Sequence, residues 1–227
     1  LPAATALPPG LPPGRLPPGL LEARNLSCRR GRRLLFEGLD LRLEPGSITW
    51  LRGTNGSGKT SLMRILAGLS APAAGEVLWN GQPLRAAGRA ARLGTVYIGH
   101  ANALKDDLTL QESLAFLGRL AELPDASAQA ERALERMGLA AQRPLAVRML
   151  SQGQRRRGAL ARLALDEQPR TWILDEPYDS LDSASTLLLS GLIEAQAARG
   201  GAVLLTSHQS VSLAGLREHA LRARPGG

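Results

Sequence analysis

Cysteine is almost absent. The 227 residues contain one, Cys28, which excludes an intrachain disulfide and a cysteine-built metal site. The three histidines show no His-x-x-x-His spacing, so a zinc centre of the common kinds is excluded too. A reducing, cytosol-facing setting fits this usage. No apolar run approaches the roughly 20 residues a membrane helix requires, and no basic, apolar, small-residue signal pattern opens the chain. Direct membrane spanning and secretion are therefore not expected. Aromatics are scarce, at three Trp, two Tyr and two Phe, and no stacking motif accompanies them, so no nucleic-acid partner is expected. Lysine is scarce as well: Lys59 and Lys105 are the only two among 28 basic residues. The net charge of +8 is thus carried by scattered arginines in a chain rich in Ala, Leu, Gly and Pro. A GC-rich coding bias explains that at least as well as a polyanion footprint.

What is present suits one globular domain with room for a subdomain: 44% hydrophobic and 21% charged residues. Seven of the 15 prolines fall within residues 1–20, where LPPG recurs at Leu7, Leu11 and Leu16. Proline fixes φ and removes a donor, so this tail is expected to be disordered. It reads either as a proline-motif ligand or, since the chain opens on Leu, as upstream sequence or a misplaced start. The fold is expected from Leu21.

A strand is predicted around Leu21–Leu26, a polar turn at Arg29, Arg30, Gly31 and Arg32, and a second strand around Phe36–Leu43, where apolar and polar residues alternate. Pro45-Gly46 then turns the chain into the β-prone run Ser47–Leu51. Directly after it, Gly53-Thr54-Asn55-Gly56-Ser57-Gly58-Lys59-Thr60 matches G-x-x-x-x-G-K-[ST], with Ser61 beginning an apolar helical run at Leu62, Ile65, Leu66 and Leu69. Glycines let consecutive N–H groups turn inward around phosphate oxygens, and the helix N-terminus adds positive potential at the same point. Lys59 is expected to reach the β and γ phosphates of a bound nucleotide, and the Thr60 hydroxyl to hold Mg2+.

Thr171–Leu174 is an apolar strand ending in Asp175 and Glu176, the pattern of a buried parallel strand that delivers acids at its carboxyl end. Asp175 would contact Mg2+ through water, and Glu176 would orient or deprotonate the attacking water.

Leu150-Ser151-Gln152-Gly153-Gln154 resembles the LSGGQ signature of ATP-binding cassette (ABC) proteins, with Gln152 where glycine is usual. Asp175-Glu176-Pro177-Tyr178-Asp179-Ser180-Leu181-Asp182 resembles that family's Walker B and D-loop run, and Ala202–His208 its following strand and switch histidine. The resemblance covers residues 21–227. It implies an α/β fold: a P-loop NTPase (RecA-like) ABC nucleotide-binding domain with an antiparallel β subdomain and an inserted helical subdomain. It also implies an ATPase with Glu176 and His208 as catalytic residues, and Asp182 in the D-loop. Ser151, Gln152, Gly153 and Gln154 would cap ATP held by a second copy in a nucleotide-sandwich dimer. A helix from Arg155 to Leu165 follows them. Arg155, Arg156 and Arg157 either add positive potential there or form a solvated face.

Residues 100–149 read as helical. Thr109-Leu110-Gln111-Glu112 fits a capping box, and a second amphipathic run from Ala126 to Met137 stops at Gly138. In the family, a subdomain here receives a coupling helix from a separate membrane subunit, so the core is expected at 21–99 and 150–227. Two departures stand out. His100 occupies the Q-loop position, where it either senses phosphate and metal or is a plain loop residue. Arg30 occupies the place of the adenine-stacking aromatic.

The runs Ala74–Leu84, Ile98–His100 and Trp172–Pro177 resemble the ATP-binding subunits of the cytochrome c maturation system, the haem exporter ATPases. This implies a peripheral protein on the cytoplasmic face of the bacterial inner membrane, working with CcmB-type and CcmC-type membrane proteins. Its hydrolysis would be linked to haem export or to release of haem-loaded chaperone. The alternatives are the ATPase of another ABC exporter and a non-transport ABC ATPase.

Overall fold

In the computed structural model, residues 19–221 are described; the proline-rich segment lies outside them up to residue 18. In chain order the elements are β1 (Leu21–Arg30), β2 (Arg33–Leu43), β3 (Ile48–Arg52), α1 (Lys59–Leu66), β4 (Ala74–Trp79), β5 (Gln82–Pro83), α2 (Leu84–Gly94) and β6 (Thr95–Ile98). They continue with α3 (Leu110–Leu120), α4 (Ala126–Arg136), α5 (Gln152–Leu160), β7 (Thr171–Leu174), α6 (Ser183–Ala198), β8 (Ala202–Leu205) and β9 (Leu216–Ala220).

Two sheets result. The first runs β2-β1-β4-β5 and is antiparallel. Its hairpin is tighter than the sequence suggests: Arg30 pairs with Arg33, leaving only Gly31 and Arg32 in the turn. Gly31 at φ +61 supplies the left-handed residue such a turn needs, and the flanking arginines extend the strands because their side chains point to solvent. Ahead of β1, Leu20 exchanges hydrogen bonds with Asn80, donating to its Oδ1 at 2.8 Å and accepting from its N–H at 2.9 Å.

The second sheet runs β6-β7-β8-β3-β9 with every neighbouring pair parallel. A parallel sheet covered on both faces sorts its side chains by parity. Trp172 and Leu174 of β7, with Val203 and Leu205 of β8, join a core shared with α3, α4 and α6. Ile173 and Leu204 face the opposite core, shared with α1 and the antiparallel sheet. Because all these strands run one way, their carboxyl ends meet at a single edge, where open α/β sheets bind ligands.

Helix boundaries follow local chemistry. The apolar run expected to reach Leu69 stops at Leu66, because Gly68 at φ +72 reverses the chain. Gly68 N–H then donates to Ile65 and Leu69 N–H to Arg64, a Schellman closure. The capping box at Thr109 and Glu112 is formed in both directions. α4 closes at Gly138, φ +66, after burying Ala130, Ala133, Leu134 and Met137 completely. The signature helix is shorter than read from sequence: α5 ends at Leu160 and tightens into a 3-10 turn over Ala161–Ala164.

Candidate active site

The loop between β3 and α1 sits at the common sheet edge. Gly56 and Gly58 adopt φ +78 and +101. A Cβ on Gly58 would lie 3.0 Å from Phe36 Cδ1 and 3.2 Å from Leu35 Cβ, so β2 roofs the loop. Gly58→Ala is expected to lose about 1–3 kcal/mol from backbone strain, with some repacking of Phe36, measurable by denaturant unfolding. α1 begins without a side-chain cap, which leaves its first N–H groups to a ligand. Lys59 Nζ donates to the carbonyls of Gly53 at 2.8 Å and Thr54 at 3.3 Å. The Ser57 side chain turns inward: its Oγ is buried and makes no hydrogen bond.

A cavity of about 470 Å³ lies over this loop, lined by Asn55, Gly56, Gly58, Lys59, Thr60 and Ser61 on one side and by Asp175, Glu176 and His208 on the other. His100 and the arginines Arg30 and Arg33 complete its wall. Cations thus face anions across the space: a polyphosphate suits the first wall, a metal ion and a water the second. Arg30 was singled out in the sequence; Arg33, across the hairpin from it, was not.

The carboxylates are held by three strand ends. Asp175, 4% exposed, accepts at Oδ1 from the Thr206 hydroxyl at 3.0 Å, and its N–H donates to Ile98 at 2.8 Å. The same Thr206 hydroxyl accepts from Glu176 N–H at 2.9 Å. Thr206 is therefore the joint between β7 and β8, and only its place directly after an apolar strand could have flagged it. Glu176, 8% exposed, accepts at Oε2 from His208 N–H at 2.9 Å. Its Oε1 is buried and has no hydrogen-bond partner; His208 Nε2 approaches it to 3.5 Å. Glu176 also has φ +49, a conformation that non-glycine residues leave unless held.

Arg156 does much of that holding, and the three-arginine reading missed it. Its side chain is buried rather than solvated. It donates to the carbonyls of Glu176 at 2.6 Å and Asp175 at 3.3 Å. Burial presses its pKa down, while Asp179, Asp175 and Glu176 nearby pull it up. A guanidinium stays charged throughout.

The remaining sequence candidates lie apart from this cavity. Ser151 caps α5, its Oγ accepting from Gln154 N–H at 3.3 Å while Gln154 Oε1 accepts from Ser151 N–H at 2.9 Å. Gln152 Nε2 donates to Ser180 Oγ at 3.2 Å, joining signature to D-loop. None of Ser151, Gln152, Gly153 and Gln154 lines the P-loop cavity of the same chain, nor does Asp182. Asp182 caps α6 through Ser185 N–H at 2.8 Å, and bonding to Ser185 holds its carboxyl below the ordinary range. His100, by contrast, belongs to the cavity wall and is exposed, its Nδ1 3.9 Å from Asp179 Oδ2.

A glycine loop and bare helix end facing a buried acid pair, with a capped signature helix and an α-helical arm, define the ATP-binding cassette of an ABC transporter. The family model for ABC transporters matches residues 36–179. The chain is 47% identical over 194 residues, 86% of its own length and 95% of the relative's, to the cytochrome c biogenesis ATP-binding export protein CcmA of Dechloromonas aromatica (strain RCB). It is 45% identical over 208 residues, 92% and 97% of the two lengths, to the protein of that name from Nitrosomonas europaea (strain ATCC 19718 / CIP 103999 / KCTC 2705 / NBRC 14298). A solved ATP-binding subunit of an ABC transporter superposes with a TM-score of 0.75 at 27% identity, covering 83% of this chain and 79% of that one. The chain belongs to the ABC transporter family and, within it, to the CcmA proteins. It binds ATP and is an ATPase. Among the described residues no helix is long and apolar enough to cross a membrane.

Proposed function

We propose that this chain energises an ABC complex of c-type cytochrome biogenesis, hydrolysing ATP to drive haem export or release of haem-loaded chaperone. The observation that carries the reading is the Glu176 carboxylate, which lines the cavity with Lys59 and Thr60 and whose Oε1 takes no hydrogen bond, with His208 Nε2 3.5 Å away. A free oxygen there accepts a proton from water. With Oε2 fixed by His208 N–H, the carboxylate cannot swing away. In this reading Lys59 and the loop of Gly53, Thr54, Asn55, Gly56, Ser57, Gly58, Thr60 and Ser61 orient the triphosphate and stabilise charge on the departing phosphate. The exposed His208 imidazole lines the same cavity, its Nε2 3.5 Å from Glu176 Oε1, and in this reading steadies the transferred phosphate.

The donor set fits Mg2+. Thr60 and Asp175 offer only oxygen to the cavity, and no cluster of three or more His, Cys, Asp or Glu suited to a metal occurs among the described residues. An ion bound by a hydroxyl, one carboxylate and substrate phosphates matches magnesium's habit. Thr60 and Asp175 would hold it, and when bound it offsets phosphate charge.

The signature's separation from its own P-loop supports a head-to-tail dimer, in which Ser151, Gln152, Gly153 and Gln154 of each copy cap the other's ATP and Asp182 steadies the D-loop between them. Residues 21–99 and 150–227 form the core in this reading, and 100–149 the helical subdomain. Between them a groove of about 870 Å³ is lined by Leu66, Leu69, Leu84 and Leu117 with Arg64 and Arg85. Its mainly apolar lining, with arginines among it, suits an amphipathic helix. We assign it to the coupling helix of a CcmB-type permease, with a CcmC-type subunit in the same assembly. The chain then lies peripherally on the cytoplasmic face of the bacterial inner membrane. Deleting the gene is expected to abolish haem staining of c-type cytochromes in membrane fractions, restored by the wild-type chain. Normal staining in the deletion strain would contradict the assignment.

A further inference from the structure

Three arginines follow the signature, and they part company in the fold. Arg155 stays local, donating to the carbonyls of Leu150 at 3.1 Å and Arg148 at 2.7 Å. Arg156 is 3% exposed and reaches across the domain. One arm of its guanidinium donates to the carbonyls of Glu176 and Asp175. The other arm, Nη1, donates to Gly99 O at 3.0 Å and Asn102 Oδ1 at 3.4 Å. All four acceptors are neutral oxygens, and Nε is buried without a partner. Burying a cation is costly, and the charges of Asp179, Asp175 and Glu176 nearby offset part of that cost. A lysine there would offer a compact ammonium, whereas the planar fork reaches two loops at once.

Those two loops have different tasks. Residues 99–102 leave β6 and line the 870 Å³ groove, and His100 among them also lines the P-loop cavity. The other loop carries Glu176 in its left-handed conformation, φ +49. Arg156 holds the carbonyls on both sides of Glu176, Asp175 O before it and Glu176 O after it, and so restrains both peptides that flank the Glu176 Cα. One side chain thus ties residues 99–102 to the backbone that aims the Glu176 carboxylate.

We propose that Arg156 is a positioning residue that links occupancy of the groove to the aim of the Glu176 carboxylate. A helix pressing on residues 99–102 shifts the guanidinium and with it the base. The proposal rests on reading Glu176 as the base and the groove as the permease's seat.

The test compares wild type, Arg156→Lys and Arg156→Gln, each as purified full chain and as the complex with its co-expressed CcmB-type subunit. Steady-state ATPase, affinity for a fluorescent ATP analogue and melting temperature are measured. In Arg156→Gln, kcat is expected to fall about 10- to 100-fold, as small misplacements of catalytic groups do, with ATP affinity held within about twofold and stimulation by the permease lost. Arg156→Lys keeps the charge and is expected to keep the melting temperature while losing the stimulation, because it cannot bridge both loops. Wild-type kcat and stimulation in either variant would overturn the proposal, as would a loss of turnover that follows melting temperature and ATP affinity downward together. A wild-type complex that hydrolyses ATP without any response to the permease would overturn the groove assignment, and this inference with it.

Discussion

Glu176→Gln is expected to lower ATP turnover by about 10²- to 10⁴-fold, the usual loss when a positioned base is removed, while ATP affinity stays within a few-fold of wild type. The amide oxygen can still accept the His208 N–H bond now made by Oε2 at 2.9 Å. The NH2 group then falls where the free Oε1 sits, and a donor at that point cannot take a proton from water. Binding is spared because Lys59 and the loop amides are untouched. With ATP bound and uncleaved, the dimer should persist, so gel filtration in Mg-ATP should show a species of twice the mass that wild type does not accumulate. Hydrolysis at the wild-type rate would remove Glu176 from its role and leave the free oxygen without a function.

How much of this was legible in the chain depended on whether the chemistry is local. The loop from Gly53 to Thr60 was readable because a phosphate cradle needs consecutive residues. The same holds for Thr171–Glu176, where one strand must be apolar along its length and acidic at its tip. The capping box at Thr109 was readable because its partner lies three residues away; the one at Ser151 has the same spacing but was not read from the sequence. What escaped depends on docking. Arg155, Arg156 and Arg157 point about 100° apart around α5, and which one meets the core is decided by where the helix lands, far from it in sequence. Thr206 serves Asp175 and Glu176 only because β8 pairs with β7. β9, with the mostly exposed run Leu216–Ala220, carries no clear periodicity; its pairing with β3 makes it a strand. Gly88 at φ +48 breaks α2 at a point the Ala and Arg pattern does not mark.

Replacing Lys59 with alanine is expected to weaken ATP binding about 10- to 150-fold, the equivalent of the roughly 1.5–3 kcal/mol a hydrogen bond to a charged group contributes. The argument turns on scarcity. Lys59 is the loop's only cationic side chain; Arg30 and Arg33 reach the cavity from the hairpin across from it. Its Nζ rests 2.8 Å from the Gly53 carbonyl, so it is already oriented across the loop, and little side-chain entropy remains to be lost when a phosphate takes the rest of its donors. Alanine removes the charge and leaves the Gly53 and Thr54 carbonyls without the donor they now share. The effect should therefore exceed that of removing either hairpin arginine, which sit at the surface and act through screened charge. Titration calorimetry of Lys59→Ala, Arg30→Ala and Arg33→Ala with Mg-ATP, at low and high salt, ranks the three directly. Lys59→Ala should show the largest loss at both salt concentrations, and the arginine variants a loss that shrinks as salt rises. An arginine variant weaker than Lys59→Ala in high salt would move the principal phosphate contact from the loop to the hairpin.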